Sequence, residues 1–560
     1  MLCDHSFAVE SLPMEILTKV FRLVTNSATV HMPANSEAID TISQELSELP
    51  LQLSQVNRRW RFIAQHTPGL WGHIYVSHRR LNHSALLAHL MFSNDNPLDV
   101  TIRWLPSFPW LLFAADEKDD RLLKAIYRQA VVKYGHDMGD QLGLLLEHIE
   151  RWRSVRVVLD DADMMESFAA QCYTATAPQL ISLDLQYILP PQVRNLAVNI
   201  GRSNGDLVGF TGVRNSSLSS LRLDGVTLTS PLPSLQSLTT LKLYNLGEEQ
   251  MPQLHELFEV LHELPHLRRL FIHSFVVQEE PLEVSPADIV CLPALEVLSI
   301  SDVSEYWPEF FLEGTYFPNL KRLSLDIWER TFDGFLTTLH NCYKDMVDYH
   351  GADPAFHFPG SILGSIEGLQ LGEFGGAEGD SYIGDKDEQD VFGRLINVRF
   401  LVLDVRKNRD HISNLVQYTR QLTAADNAMN QADSSTPSST TCMPLLSTVL
   451  LQGIKGGNMQ EIQDLVKTRK EMGVPIQRLL IQPHRSMITD PKKPADEAFP
   501  AENVAWLKAN VEEVLIFDKD RLPSRERVDD MLDVLFEVEV EMGAENGTSF
   551  VDVFRGMMKL

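Results

Sequence analysis

The chain has 560 residues, with 49 Lys and Arg against 76 Asp and Glu, and a net charge of −27. That balance argues against a protein that grips nucleic acid or anionic lipid through bulk charge, leaving only a local basic patch open. Hydrophobic and charged fractions of 44% and 22% are those of a folded chain. Length alone gives a prior of three or four domains of about 150 residues, which a repeat array would break. The five cysteines, Cys3, Cys172, Cys291, Cys342 and Cys442, show no metal or redox spacing, and a reducing compartment is expected. The opening Met1-Leu2-Cys3-Asp4-His5 carries no secretory pattern, and uncharged apolar runs such as residues 110–115 are too short for a bilayer. The expectation is a soluble, cytoplasmic or nuclear protein with neither membrane nor nucleic acid as partner.

Helix signals come first. Ser11-Leu12-Pro13-Met14-Glu15 offers a capping serine, a proline suited to a first turn and an early acid. Ile16, Leu17, Val20, Phe21 and Val24 then form one helical stripe. A polar interval at residues 25–48 separates it from a second predicted helix, where Leu53, Val56, Trp60 and Ile63 share a face. Thr67-Pro68-Gly69 stops that helix, and Leu70-Trp71 opens the next segment. Such a hairpin has more apolar surface than it can bury alone.

These residues resemble the F-box family, especially the F-box-like proteins expanded in fungi. The matching elements are Leu12-Pro13-Met14-Glu15-Ile16-Leu17, Val20-Phe21, the run from Leu53-Ser54-Gln55-Val56 through Trp60 to Ile63-Ala64, and Thr67-Pro68-Gly69-Leu70-Trp71. Asn57 stands where a cysteine is common, and the 25–50 interval is longer than the usual connection. The resemblance implies an all-helical F-box module over residues 11–76 that docks to a Skp-type adaptor and through it to a cullin. It makes Leu12, Pro13, Glu15, Ile16, Leu17, Val20, Phe21, Leu53, Val56, Trp60, Ile63 and Trp71 either adaptor contacts or module core.

Residues 77–150 read as a helical linker opening a solenoid, with a helix at 81–91 and a strand at 96–102. From 151 to 540 the pattern apolar-x-x-apolar-x-apolar recurs. Its clear copies start at Leu218, Leu238, Leu267, Leu295 and Leu320, with steps of 20, 29, 28 and 25 residues. Looser copies start at Ile366, Val398, Leu446, Ile476 and Val511, and earlier ones at Trp152 and Leu180. Steps of about 20 to 29 residues match the leucine-rich repeat. Alternation makes a short half-buried strand, and the remaining residues, helical at 251–264, return the chain to the next strand. The expected fold class is α/β, a curved parallel sheet with outer helices. The consensus Asn or Cys position holds Val226, Leu246, Phe275, Val303 and Trp328, so apolar packing must replace an asparagine ladder. Insertions fall near 329–365, 373–392 and 424–444, and residues 541–560 form a tail.

Enzyme signatures were weighed against this reading. His262-Glu263-Leu264-Pro265-His266 fits H-E-x-x-H, but Pro265 disfavours the continuous helix that such a zinc site needs. Gly201-Arg202-Ser203-Asn204-Gly205 fits G-x-S-x-G, but no helical stripe follows it. The acidic run from Asp385 to Asp390 lacks the glycine and closing glutamate of a calcium loop. The expectation is a non-catalytic substrate receptor of a Skp–cullin–F-box ubiquitin ligase with no cofactor. The alternative is a leucine-rich scaffold unconnected with ubiquitination, and a hydrolase built on Ser203 or on His262 and His266 ranks third.

A target site is expected late in the solenoid. The between-leucine positions are polar in early copies but become Val402, Leu450, Leu480 and Leu515, joined by Phe517, and are edged by Asp404, Gln452 and Gln482. On neighbouring strands these make an apolar stripe. It is either a recognition patch or a surface that the chain covers itself, for example with residues 528–540.

Overall fold

The computed structural model describes residues 12–30, 36–78, 83–105, 138–188, 209–210, 213, 217–228, 235–246, 254–275, 289–303, 307–326, 362–372, 395–405, 412–413, 415–416, 419–420, 443–487, 495–517, 535–536, 549–550 and 553–554. The motif at 201–205, the acidic run at 385–390 and nearly all of the three insertions lie outside these residues. The chain divides into two compact units, Met1–Pro252 and Gln253–Leu560.

The first unit opens with helices α1 (Met14–Val30), α2 (Ser36–Val56) and α3 (Arg58–Gln65) and a short 3-10 turn at Pro68–Trp71. Strand β1 (His73–Ser77), helix α4 (His83–Phe92), strands β2 (Leu98–Trp104) and β3 (Trp152–Leu159) and helix α5 (Ala162–Thr174) follow. Strands β4 (Ser182–Tyr187), β5 (Gly209–Phe210), β6 (Ser220–Asp224), β7 (Thr227–Leu228) and β8 (Thr240–Tyr244) complete it. Here β1, β2, β3, β4, β6 and β8 lie side by side in that order, all parallel, while β5 pairs with β7.

The second unit contains α6 (Leu254–His262), β9 (Arg269–Phe275), β10 (Val290–Cys291), β11 (Val297–Val303), α7 (Trp307–Glu313), β12 (Thr315–Tyr316) and β13 (Arg322–Asp326). Strands β14 (Gly368–Leu371), β15 (Phe400–Asp404) and β16 (Thr448–Ile454), helix α8 (Met459–Glu471), β17 (Arg478–Pro483), α9 (Ala501–Asn510) and β18 (Glu513–Ile516) follow. Its parallel order is β9, β11, β13, β14, β15, β16, β17, β18, with β10 paired to β12.

The architecture is therefore mixed α/β with long runs of parallel strands, and each of the twelve motif copies holds one of them. Register explains why. Leu183, Leu221 and Leu241 are partners across β4, β6 and β8, and Leu185, Leu223 and Leu243 form the next row, all essentially inaccessible. A one-residue slip would turn both rows to the opposite face, so the apolar triplet fixes the pairing. Return helices add their own stripe. In α5, Asp161 caps the N-terminus by accepting from the Met164 amide at 3.0 Å, and Met165, Phe168, Ala169 and Cys172 face the strands.

The turns use three devices. The consensus-position residues Val226, Leu246 and Val303 are buried, which supplies apolar packing. Seven residues after a copy begins, Gly225, Asn245, Asp302 and Gly453 adopt positive φ of 68°, 51°, 53° and 73°, a conformation open mainly to Gly, Asn and Asp. One residue before a copy begins, Ser217, Ser237, Asn319, Ser365 and Asn397 each donate a side-chain hydrogen bond to a carbonyl of the preceding repeat, namely Pro178, Leu218, Pro293, Leu320 and Gly364. A polar ladder thus exists, at the opposite end of the strands from the consensus asparagine position.

Three expectations change. The 25–48 interval is largely helical, because α1 continues to Val30 and α2 starts at Ser36. The second predicted helix is two: Asn57 is extended (φ −159°), and its side chain accepts from the Trp60 amide at 2.8 Å, capping α3 and ending α2. The parallel sheet starts at His73, inside the stretch assigned to the helical module, and not with residues 96–102.

At Gly225 an added Cβ would lie 2.8 Å from the Tyr187 carbonyl oxygen, on a backbone with φ +68°. Gly225→Ala is expected to cost on the order of 1–3 kcal/mol, lowering the urea midpoint. A midpoint equal to that of the unaltered chain would refute the turn requirement.

Candidate functional site

The sequence-derived residues of the helical module separate into two groups. Leu17, Phe21, Ile63, Ala64, Leu70 and Trp71 form a buried core, with Leu12, Leu51, Leu53, Trp60, Ala88 and Phe92 packed around it. Phe21 tilts against Trp60 with centroids 5.0 Å apart, and the Trp71 indole N–H donates to the Ala64 carbonyl at 2.8 Å. Arg59 bonds the Leu12 carbonyl, fastening the chain before α1 to α3. The core positions Leu12, Leu17, Phe21, Leu53, Trp60, Ile63 and Trp71 thus organise the module.

Pro13, Glu15, Ile16, Val20 and Val56 point outward instead. Ile16, Val20, Leu23 and Val24 are 42%, 41%, 66% and 48% exposed on α1, and Val56 and Phe62 are also exposed. At 100° per residue these α1 positions span one face, while Leu17 and Phe21 occupy the adjacent one. Helix α1 is therefore apolar on two sides and buries one. Leu23 was not singled out from the sequence, and Phe62 was read only as part of the run from Leu53 to Ala64. The signal was available in α1, which has more apolar residues than a single stripe can use.

Helix α2 forms the second feature. Asp40, Ser43 and Ser47, spaced for one helix face, are all buried. Asp40 forms ion pairs with Arg103 of β2 and with Arg156 of β3, the latter at 3.3 Å. The Thr101 hydroxyl donates to Ser43 Oγ at 3.3 Å, and the Tyr75 amide donates to Ser47 Oγ at 3.2 Å. His89 of α4 lies between two carbonyls, with Nε2 2.9 Å from Ser47 O and Nδ1 3.1 Å from Trp71 O. From Arg156 the charges continue: Asp184 at 3.3 Å, then Arg222, whose guanidinium reaches Asp184 at 3.7 Å and Asp224 at 3.2 Å. Asn245 donates to Asp224 at 2.7 Å. A cavity of about 290 Å³ sits beside this ladder, lined among others by Ser43, His73, Asp99, Arg153, Ser154 and Asp184.

Burial lowers the pKa of His89 against the upward pull of the Trp71 and Ser47 carbonyls, and nearby His73 lowers it further. Burial also lowers His73, opposed by Asp99 and reinforced by Arg153. Burial raises the Asp224 carboxyl despite Arg222 and Asn245.

The apolar stripe is where the structure overturns one expectation. Val402, Leu450, Leu480, Leu515 and Phe517 are 0–3% exposed, in one cluster with Phe400, Leu535, Phe536, Phe550 and Phe554. Phe536 packs on Phe400 at 4.5 Å with Arg322 over its ring at 3.9 Å, and Phe554 meets Phe517 at 5.7 Å. Arg478 covers Phe550 at 4.6 Å, and Ser549 donates to Glu513 at 2.8 Å. The stripe is filled by the chain's own aromatics, because leaving it in water would cost more than ordering that segment. It is not an open recognition patch, and its expected rim of Asp404, Gln452 and Gln482 is buried as well.

The paired histidines of the H-E-x-x-H match are likewise not on one helix, since α6 ends at His262 and His266 follows a turn. Among the described residues, no helix is long and apolar enough to cross a membrane, and no group of His, Cys, Asp and Glu is placed to hold a metal ion. Compared with known proteins, the chain matches no family model and no curated protein.

Two predictions follow from these contacts. A histidine with a lowered folded pKa contributes stability that is present above its unfolded pKa, about 6.5, and lost as pH falls through the folded value. Melting temperature should therefore fall on acidification from pH 7 to pH 5, and His89→Gln should flatten that slope; an unchanged slope would exclude His89 as a contributor. Phe550→Ala plus Phe554→Ala should destabilise the chain by roughly 3–5 kcal/mol or more and raise binding of an apolar dye. Unaltered dye binding with native circular dichroism would mean that other groups cover the stripe.

Proposed function

We propose that the chain is a substrate-recognition subunit of a Skp–cullin–F-box ubiquitin ligase, in which the N-terminal helices dock to the adaptor and leucine-rich repeats carry a target. The observation that carries this reading is the second apolar face of α1. Ile16, Val20 and Leu23 are exposed beside a completed core, and an exposed apolar helix face is a docking surface for a partner helix. The repeat reading draws support from parallel strands at every motif copy, with return helices such as α5, α6 and α8 between them. On this reading the protein performs no chemistry of its own. It raises the effective concentration of target lysines near the ubiquitin-loading machinery, in the cytoplasm or nucleus where such ligases work.

Ile16→Asp plus Val20→Asp should abolish capture of a purified Skp-type adaptor while leaving circular dichroism and thermal melting close to those of the unaltered chain. Adaptor binding that survives this pair would defeat the proposal. Leu17→Asp plus Phe21→Asp is a poor substitute, because both residues are core and the module would unfold.

A further inference from the structure

Helix α2 has two jobs along its length. Its C-terminal part contributes Leu51 and Leu53 to the module core. Its stretch from Asp40 to Ser47 buries an acid and two serines beside Leu46, and burial of those three polar side chains has no hydrophobic drive. Each meets a matching group on the sheet: Asp40 the guanidinium groups of Arg103 and Arg156, Ser43 the Thr101 hydroxyl and Ser47 the Tyr75 amide, while the Ser47 carbonyl meets His89 of α4. The Tyr75 contact is informative, because β1 begins the parallel order and, among the described residues, has a strand neighbour on one side. The Tyr75 amide points away from β2, and Ser47 accepts its hydrogen bond. A helix attached by apolar packing can slide, whereas one attached by an ion pair and directed hydrogen bonds has one register.

We infer that the stretch of α2 from Asp40 to Ser47 is a clamp, with Asp40, Ser43 and Ser47 as positioning residues, that locks the helical module to β1, β2 and β3 at one angle. This rests on the adaptor reading for its consequence: the clamp sets the direction in which an adaptor-bound module holds the repeats and any target on them. Loosening it leaves the adaptor face and the repeats intact but uncouples their orientation.

The test places nitroxides on p-acetylphenylalanine at Leu23 of α1 and at Tyr173 of α5, both exposed, in the full chain without partners. Electron–electron double resonance then reads the spread of distances between them. The unaltered chain should give one narrow distribution. Asp40→Ala combined with Ser43→Ala and Ser47→Ala should broaden it about twofold or more, with circular dichroism unchanged, and restoring Asp40 as Glu in the same background should narrow it again. An unbroadened distribution in the triple variant overturns the clamp. So does global unfolding of that variant together with an unbroadened Asp40→Asn single variant, since the contacts would then serve the fold and not the angle. Because no adaptor is present, failure of the adaptor reading cannot produce either result.

Discussion

Everything in this protein depends on parallel strands finding neighbours of the same direction. A parallel strand cannot be followed by a tight hairpin, so each pairing requires a return path that delivers the next apolar triplet at the same height. The rows from Leu183 to Leu241 and from Leu185 to Leu243 show the result, with the first residue of each return path set by a left-handed turn at Gly225 or Asn245. Repeats of very different length remain compatible because only the triplet, the turn and the preceding side-chain bond must coincide. The 46-residue step from Leu320 to Ile366 still brings Leu323 opposite Leu369, with Ser365 bonded to the Leu320 carbonyl.

A sheet built this way has a face and an edge to protect, and the chain solves the two with opposite chemistry. Around β1 the cover is a helix carrying Asp40, Ser43 and Ser47 onto a polar surface. Along β15 to β18 it is a set of aromatics on an apolar one. Each cover repeats the character of the strands beneath it, since an aromatic over Arg156 and Asp184 would strand charges, and a carboxylate over Leu450 and Leu480 would be an unpaired buried ion.

Twelve of the strands were legible from sequence because alternation with a recurring period is a local signal, whereas β1 lies inside the stretch that read as a helical module. Helix α2 was not, since its buried face mixes Asp40, Ser43 and Ser47 with Leu46 and mimics a solvated loop until Arg103, Arg156 and Thr101 are known to lie opposite. The break at Asn57 was visible only as an odd residue in a continuous stripe, and its cap bond to Trp60 explains it. Exposure was the hardest to read. Ile16 and Leu17 are neighbours of similar hydropathy, yet one lies in the core and the other outside, because the position of α3 relative to α1 decides it. For the late stripe, the sequence left an open choice between recognition and self-cover, and the choice turned on where distant phenylalanines fold back.

The charged ladder of the first unit has a comparable logic. Buried ion pairs add little net stability, because desolvation offsets most of the attraction, but breaking one leaves its partner stranded at a cost of about 3–5 kcal/mol. Asp40, Arg156, Asp184, Arg222 and Asp224 alternate in sign across α2, β3, β4 and β6. Register supports the alternation, since Arg156 stands opposite Asp184 and Asp184 opposite Arg222. Shifting β4 by two residues would keep its leucines on the same face but leave one of them without a leucine partner in β6, and would bring Ser182 or Gln186 against Arg156 and Arg222 in place of Asp184. The apolar triplets thus choose which face of each strand is buried, and the charges add to the cost of the even-numbered slips that keep that face.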